Sequence, residues 1–113
     1  MQAPSRGELW MVDLNPVRGH EQSGNRPGLV LSVDLFNHGP AGLVVVLPLT
    51  TRAKDIPFHV ELNPPEGGVK TRSFIKCEDI RSVATERLSR RLGSTSPATM
   101  RLVEDRVRIL LDL

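Results

Sequence analysis

The chain has 113 residues, which is enough for one hydrophobic core but not for two, so we expect a single domain over residues 1–113. Its 39% hydrophobic and 25% charged residues are typical of a globular protein and exclude a disordered tail. Twelve of the fifteen basic residues are arginines, but the formal net charge is only +2, so charge alone does not establish a nucleic-acid partner.

Cysteine content and hydropathy bear on where the protein works. Cys77 is the only cysteine, which excludes an intrachain disulfide and favours a reducing compartment. The first ten residues do not read as a secretory signal, and no apolar run approaches the length of a membrane span. We therefore expect a cytoplasmic protein that does not associate with membranes.

Two strands separated by a polar loop are predicted near the N-terminus. Residues 9–14, LWMVDL, alternate as a half-buried strand does, and Asn15-Pro16 ends that strand. The loop at 19–25, GHEQSGN, combines glycines with charged and amide side chains. Pro27 is then expected to open a second strand, Gly28–Val33, where the missing N–H of proline does least harm.

The middle of the chain predicts most of the β core. Leu43–Leu49 is apolar on both faces, which is typical of a central buried strand. Phe58–Leu62 alternates as a half-buried strand, and Asn63–Gly68, NPPEGG, gives the strongest loop signal of the chain. Ser73–Val83 predicts either a strand pair or one long bent strand.

A C-terminal helix is predicted after a turn at Thr85–Leu88 and a short strand end at Leu92-Gly93. Ser96 can cap this helix, and Pro97 stands at its first position. Five or six short strands followed by one helix indicate a small barrel-like β core with an appended helix. The predicted apolar stripe of the helix consists of Met100, Val103, Val107, Leu110 and Leu111.

The polar loop and the strand ends beside it carry the residues best suited to bind a ligand. Gly19 and Gly24 allow the backbone to approach a ligand closely. Pro27 restricts Arg26 to extended conformations, which aims its guanidinium, and Thr50 follows the buried strand directly. The alternative to a binding site is that the polar loop is an ordinary surface loop and that Thr50 only ends a strand.

The histidines and the cysteine give weaker signals. The three histidines match no metal-ligand spacing. His20 lies in the polar loop and could take part in acid–base chemistry, whereas His38 and His59 are expected to face solvent. Cys77 is expected to be a buried, inert thiol, and its two sequence neighbours point to the opposite face, where they could belong to a site.

Several segments, in order and spacing, resemble the MazF/PemK (Kid) family of toxin endoribonucleases. The resemblance runs from Arg6 to the C-terminus, and an EQxGxRP run with a later PLTT is its most specific part. The matching segments are RGELWMVDLNP at 6–16, GHEQSGNRPGLVLS at 19–32, VLPLTT at 46–51, KCEDIRSV at 76–83, RLG at 91–93 and the final helix.

The resemblance implies a fold and a mode of action. The implied fold is mainly β with appended helices (α+β), an SH3-like barrel of the MazF/CcdB/Kid type with a C-terminal helix, working as a homodimer. Family members cut single-stranded RNA at short sequence motifs without a metal ion or other cofactor, which inhibits translation and growth. A co-expressed MazE-like antitoxin holds them inactive, and operator DNA would be bound only by the toxin–antitoxin complex.

When the functional positions of the family are matched to this sequence residue by residue, the resemblance also implies an active site. Arg26 and Thr50 stand at the family's principal catalytic positions, where an arginine would stabilise the phosphorane and a hydroxyl would donate a hydrogen bond to it. Glu21, the glutamate of the EQ pair, is the expected base, alone or together with His20 or Glu78. RNA-binding contacts are expected from His20, Gln22, Asn25, Thr51, Arg52, Lys54, Lys76 and Glu78.

Two other functions stay open. A CcdB-like toxin shares the fold but poisons DNA gyrase by protein contact, which would not require the carried-over catalytic set. A catalytically inactive member could survive as an antitoxin-binding protein, because Lys76 and Glu78 replace an arginine and an aspartate of PemK-type members. Sequence preference would come from hydrogen bonds of loops 17–25 and 52–57, since Trp10 is expected to lie in the core.

Overall fold

A computed structural model of the chain describes residues 3–15, 19–21 and 24–113. These residues form seven strands, two α-helices and two short 3-10 helices, the latter at Glu66–Gly68 and Thr85–Arg87. Within the same ranges, no helix is long and apolar enough to cross a membrane. The elements are β1 (Glu8–Asp13), β2 (Asn25–Val30), α1 (Asp34–Asn37), β3 (Leu43–Thr50), β4 (His59–Leu62), β5 (Ser73–Lys76), β6 (Arg81–Ala84), β7 (Leu88–Ser94) and α2 (Pro97–Leu111).

The strands form an antiparallel sheet in the order β4-β5-β3-β2-β1-β7, and β6 also pairs with β3. β3 is the central strand because three neighbours share it. Its first half pairs with β6, its middle with β2, and its last two residues, Leu49 and Thr50, with β5. The predicted central buried strand is therefore confirmed, and its end is surrounded by other strands.

The core consists of two clusters that lie on different sides of β3. Val44 and Val46 belong to one cluster, whereas Leu47 and Leu49 belong to the other. This explains why the strand is apolar on both faces. Trp10 is only 3% exposed in the first cluster, so its predicted core position is confirmed.

Helix α2 covers the second cluster and begins as predicted. The Ser96 side chain accepts a hydrogen bond from the Thr99 N–H at 3.1 Å, and a proline follows at the first helical position. Val103 and Val107 are buried against the sheet. Leu111 was wrongly placed in the apolar stripe. It lies roughly 80° around the helix axis from Val103, and it remains 50% exposed.

Strand β2 starts earlier than predicted, so Arg26 and Pro27 lie inside it rather than before it. Arg26 is opposite Val12, and Pro27 is opposite Met11 of β1. Pro27 is tolerated because β3 pairs with β2 only from Gly28 onward, so the missing N–H has no partner strand on that side.

Strand β7 is longer than the predicted strand end at Leu92-Gly93. Among the described residues, Leu88–Ser94, LSRRLGS, pairs with β1 alone and is largely exposed, so this edge strand lacks the apolar alternation that identifies a strand in a sequence. The open question at Ser73–Val83 is settled in favour of two strands, β5 and β6, joined by a turn.

Candidate active site

A polar cleft with a volume of about 430 Å³ opens beside the end of β3. All but two of the residues predicted to bind or cleave RNA line it. Gln22 lies outside the described residues, and Asn25, the exposed first residue of β2, does not line the cleft. The lining residues are His20, Glu21, Arg26, Thr50, Thr51, Arg52, Lys54, Ile56, His59, Lys76 and Glu78.

The register of the sheet brings Arg26 and Thr50 to the same place. In the β2–β3 pairing Gly28 lies opposite Pro48; Arg26 precedes Gly28 by two residues, Thr50 follows Pro48 by two residues, and both line the cleft. Arg26 is exposed, whereas Thr50 is only 8% exposed at the floor of the cleft. The two residues are far apart in sequence, and the antiparallel pairing places both at one wall of the cleft.

Thr50 also anchors the segment that follows β3. Its Oγ1 accepts a hydrogen bond from the backbone N–H of Arg52 at 3.2 Å. A hydroxyl that accepts this bond still has its own O–H to donate. Thr50 is therefore held in position while its proton can be directed into the cleft, and the segment after it contributes Arg52, Lys54 and Ile56 to the cleft wall.

The opposite wall is formed by β4, β5 and the residues after β5. Lys76 lies opposite His59 in the register of the two strands. The His59 side chain is 4% exposed, and its Nε2 lies 2.8 Å from Glu78 Oε2. The prediction that His59 faces solvent was wrong, because β5 and the Phe74 ring, 6.4 Å away between centroids, cover it. His38 is exposed, as predicted.

An ionic chain links this wall to the end of β1. Lys76 Nζ lies 3.7 Å from Asp79 Oδ2, and Arg81 donates to the same oxygen at 2.7 Å. Arg81 also donates to the Leu14 carbonyl at 3.5 Å. Lys76 is thus an anchored, largely buried cation rather than a mobile surface lysine.

Cys77 is fully buried and takes no part in the cleft. Burial raises the pKa of its thiol to about 12, the charge of Glu78 adds to this rise, and Arg106 opposes it. At neutral pH the thiolate is essentially absent, so the predicted inert thiol is confirmed.

The charges of the cleft favour an anionic ligand. Four cations face two carboxylates, an excess that attracts a phosphate backbone. Among the described residues, no three His, Cys, Asp or Glu side chains lie close enough together to hold a metal ion. The cations are Arg26, Arg52, Lys54 and Lys76, and the carboxylates are Glu21 and Glu78.

A second, more apolar cavity of about 240 Å³ adjoins the first and shares Arg26, Thr50 and Thr51 with it. Met11, Leu49, Val69 and Leu92 form its apolar wall, and Lys70 and Arg90 also line it. Arg26 and Thr50 thus lie between a polar and an apolar recess, an arrangement that suits a ligand with both charged and apolar parts.

Sequence reasoning missed His59 and Ile56 as cleft residues. The alternation of Phe58–Leu62 does put His59 on the face away from the core, which is why it was expected in solvent. Only the pairing of β4 with β5 places that face beside Lys76 and the cleft, and no local pattern reveals this pairing.

Comparison with known proteins identifies the family. Residues 5–111 match the model of the PemK-like, MazF-like toxins of type II toxin–antitoxin systems. The endoribonuclease MazF9 of Mycobacterium tuberculosis is 39% identical over 113 aligned residues, and the endoribonuclease toxin MazF of Escherichia coli is 30% identical over 109. These alignments cover 96% of this chain, and 96% and 94% of the respective relatives.

The fold matches as well. The crystal structure of MazF from Deinococcus radiodurans superposes with a TM-score of 0.89 at 31% identity, covering all of both chains. A MazE–MazF structure from the same organism gives a TM-score of 0.81 at 27% identity, covering 100% of this chain and 99% of the other. The predicted mainly β fold with a C-terminal helix is thus confirmed, and the chain belongs to the family of PemK-like, MazF-like toxins of type II toxin–antitoxin systems.

Proposed function

We propose that this protein is the toxin of a type II toxin–antitoxin system and a sequence-specific, metal-independent endoribonuclease that acts on single-stranded RNA. The observation that carries the proposal is the meeting of Arg26 and Thr50, from separate strands, in a cleft with excess positive charge. The names of the relatives, endoribonucleases at 30–39% identity over nearly the whole chain, support it.

The proposed reaction is an internal phosphoryl transfer. The ribose 2′ oxygen attacks the adjacent phosphorus while Glu21 takes the 2′ proton. The P–O5′ bond breaks, the 5′ oxygen takes up a proton that we assign to His20, and a 2′,3′-cyclic phosphate and a 5′-OH remain. A flexible single strand can reach the in-line geometry that this attack requires, whereas a duplex resists it.

Arg26 and Thr50 would stabilise the charge that develops on the phosphorane. The planar guanidinium of Arg26 can donate two parallel hydrogen bonds to phosphate oxygens, and the Thr50 hydroxyl can add a third. Preorganised hydrogen-bond donors of this kind make the largest contribution to the rate enhancement of many enzymes. Thr50 fits the role because burial and the bond from Arg52 hold it in position.

The remaining cations would hold the RNA backbone on both sides of the cut. Arg52 and Lys54 are exposed on the segment after β3, and Lys76 is anchored on the opposite wall. Contacts of the RNA with Thr51, Glu78, Gln22 and Asn25 stay predictions.

The partners follow from the same charges. We propose that a cognate MazE-like antitoxin binds with an acidic, extended segment across the cleft and so prevents RNA from binding there. The excess of cations in the cleft would favour an acidic segment. The MazE–MazF structures of D. radiodurans support an antitoxin partner. We further propose that the protein is a homodimer, that it works in the cytoplasm, and that operator DNA is bound only by the toxin–antitoxin complex.

The test is cleavage of a long single-stranded RNA in EDTA, with sequencing of the 5′-OH ends. The wild-type protein is expected to cut at one short motif, and Arg26→Ala is expected to cut at least a hundredfold more slowly. Arg101→Ala, an exposed arginine on α2 outside the cleft, is the matched control and should cut like wild type. Intact RNA with the folded wild-type protein would overturn the proposal, and accompanying inhibition of gyrase supercoiling would favour a CcdB-like poison.

A further inference from the structure

The apolar cavity beside the polar cleft takes no part in the proposed reaction. Its volume of about 240 Å³ exceeds the roughly 150 Å³ of an engineered protein cavity that binds benzene, so the ring of a nucleobase fits. Apolar walls with a few polar groups are typical of sites that bind the uncharged part of a ligand. The apolar walls are Met11, Pro27, Leu49, Val69 and Leu92, and Thr71 and Ser73 add hydroxyl groups.

A close approach of two backbone segments builds one wall of this cavity. The 3-10 helix Glu66–Gly68 packs so tightly on β7 that a Cβ atom on Gly68 would lie 2.2 Å from the Leu92 carbonyl oxygen. Because only glycine allows this approach, the residues that follow the 3-10 helix are held beside β7. Lys70 from the first segment and Arg90 from the second therefore line the same cavity.

The cavity directly adjoins the groups that would hold the scissile phosphate. Arg26 and Thr50 line both the polar cleft and the apolar cavity. One ribose joins a phosphate to its base, so a base next to the scissile phosphate can reach a cavity that touches the ligands of that phosphate. Single-stranded RNA can turn such a base out of its stack and into a protein pocket.

Two cations that line the cavity are available to a ligand. Lys70 and Arg90 are both exposed, and neither makes a side-chain hydrogen bond or ion pair within the part of the chain that the structure describes. Arg91, the next residue along β7, is instead paired with Glu8 at 2.7 Å. An available lysine and arginine beside an apolar cavity suit a phosphate that is attached to the buried part of the ligand.

We propose that the apolar cavity binds the base of one of the two nucleotides that flank the scissile phosphate, and that Lys70 and Arg90 bind the phosphate on the far side of that nucleotide. This inference rests on the proposed endoribonuclease activity. The cavity contributes to affinity because its apolar walls remove the base from water. The RNA thus continues from the polar cleft past Arg26 and Thr50 toward β7.

The first test removes the base and fills the cavity. The nucleotide on either side of the mapped cut is replaced, one at a time, by an abasic ribose that keeps its 2′-OH. At the position that occupies the cavity, this change should slow wild-type cleavage about tenfold or more at low RNA concentration, but Leu92→Phe about threefold or less. At the other position, both proteins should respond equally. Leu102→Phe, at a half-exposed leucine of α2 outside the cavity, is the matched control and should behave like wild type.

The second test addresses the two cations. Binding is measured with an RNA that carries a 2′-deoxynucleotide at the cut and therefore stays whole. Lys70→Ala and Arg90→Ala should each make the plot of log K, the binding constant, against log salt concentration less steep by about 1. A neutral methylphosphonate in place of the phosphate one nucleotide from the cut, on the cavity side, should abolish the difference between these variants and wild type. Arg108→Ala, an exposed arginine on α2, should bind like wild type.

The outcomes separate the two proposals. If the wild-type protein cuts RNA but Leu92→Phe responds to both abasic RNAs as wild type does, and the Lys70 and Arg90 variants bind like Arg108→Ala, the cavity takes no base and the endoribonuclease proposal stands. The same response together with weaker self-association of Leu92→Phe would show that a second copy of the chain covers the cavity. If the folded wild-type protein does not cut, both proposals are wrong. Should Leu92→Phe fail to fold, the variants of the two exposed cations and the methylphosphonate RNA decide the matter.

Discussion

Replacement of Thr50 separates the chemistry of the cleft from its architecture. Thr50→Val keeps the shape of the side chain and removes only the hydroxyl, whereas Thr50→Ser keeps the hydroxyl. The valine variant loses the hydrogen bond from the Arg52 N–H, which is worth about 1 kcal/mol, but it gains an apolar group at a position that is 8% exposed. We therefore expect its thermal midpoint to fall by no more than about 5 °C.

The effect on catalysis should be much larger. Loss of one preorganised donor to a developing oxyanion costs about 2.7–4 kcal/mol, so Thr50→Val should cut roughly a hundred to a thousand times more slowly. The assay is single-turnover cleavage of a short RNA that contains the mapped site, and Thr50→Ser should retain most of the activity. If Thr50→Val cuts within threefold of wild type while remaining folded, the hydroxyl does not act on the phosphorane.

Three further results are expected. RNA binding should weaken as the salt concentration rises. In a fluorescence titration, Arg52→Ala should make the plot of log K, the binding constant, against log salt concentration less steep by about 1. An unchanged slope would show that Arg52 contacts no phosphate. Burial alone would raise the pKa of Glu66, but hydrogen bonds from the Ser96 N–H and the Thr99 hydroxyl outweigh it and lower the pKa below 4.5. The Glu66 carboxylate therefore stabilises the fold at pH values above its pKa in the unfolded chain, and this stabilisation is lost as the pH falls through its lower pKa in the folded protein. In denaturant titrations, Glu66→Gln should lower the free energy of unfolding by about 1–2 kcal/mol at pH 7, and the stabilities of the variant and the wild type should converge at low pH. Cys77, with a pKa of about 12, should resist a thiol reagent at pH 8 until denaturant is added; rapid labelling of the native protein would contradict its burial.

Most of the fold could be predicted because its strongest elements carry local signals. Helix α2 has a cap, an N-terminal proline and apolar residues at helical spacing, and β3 is apolar on both faces because each face covers its own core cluster. The polar edge strand β7 carries no such signal, since only its pairing with β1 makes it a strand.

The candidate site could be predicted in part for a similar reason. Arg26 and Thr50 stand beside recognisable segments, an Arg-Pro pair and the end of an apolar strand. His59 lies in an ordinary alternating strand, and its burial against Glu78 depends on how β4 pairs with β5. Long-range pairing of this kind decides which exposed-looking residues face a cleft, and it leaves no trace in the local pattern.

The most direct test of the central claim is cleavage of an RNA that carries a single 2′-deoxynucleotide at the mapped cut site. If the 2′ oxygen is the nucleophile that the Arg26–Thr50 cleft activates, this RNA should stay intact in EDTA while it still competes with the all-ribose RNA for binding. Cleavage of the deoxy RNA between the same two nucleotides would contradict the account, because it would require attack by water instead of the 2′ oxygen.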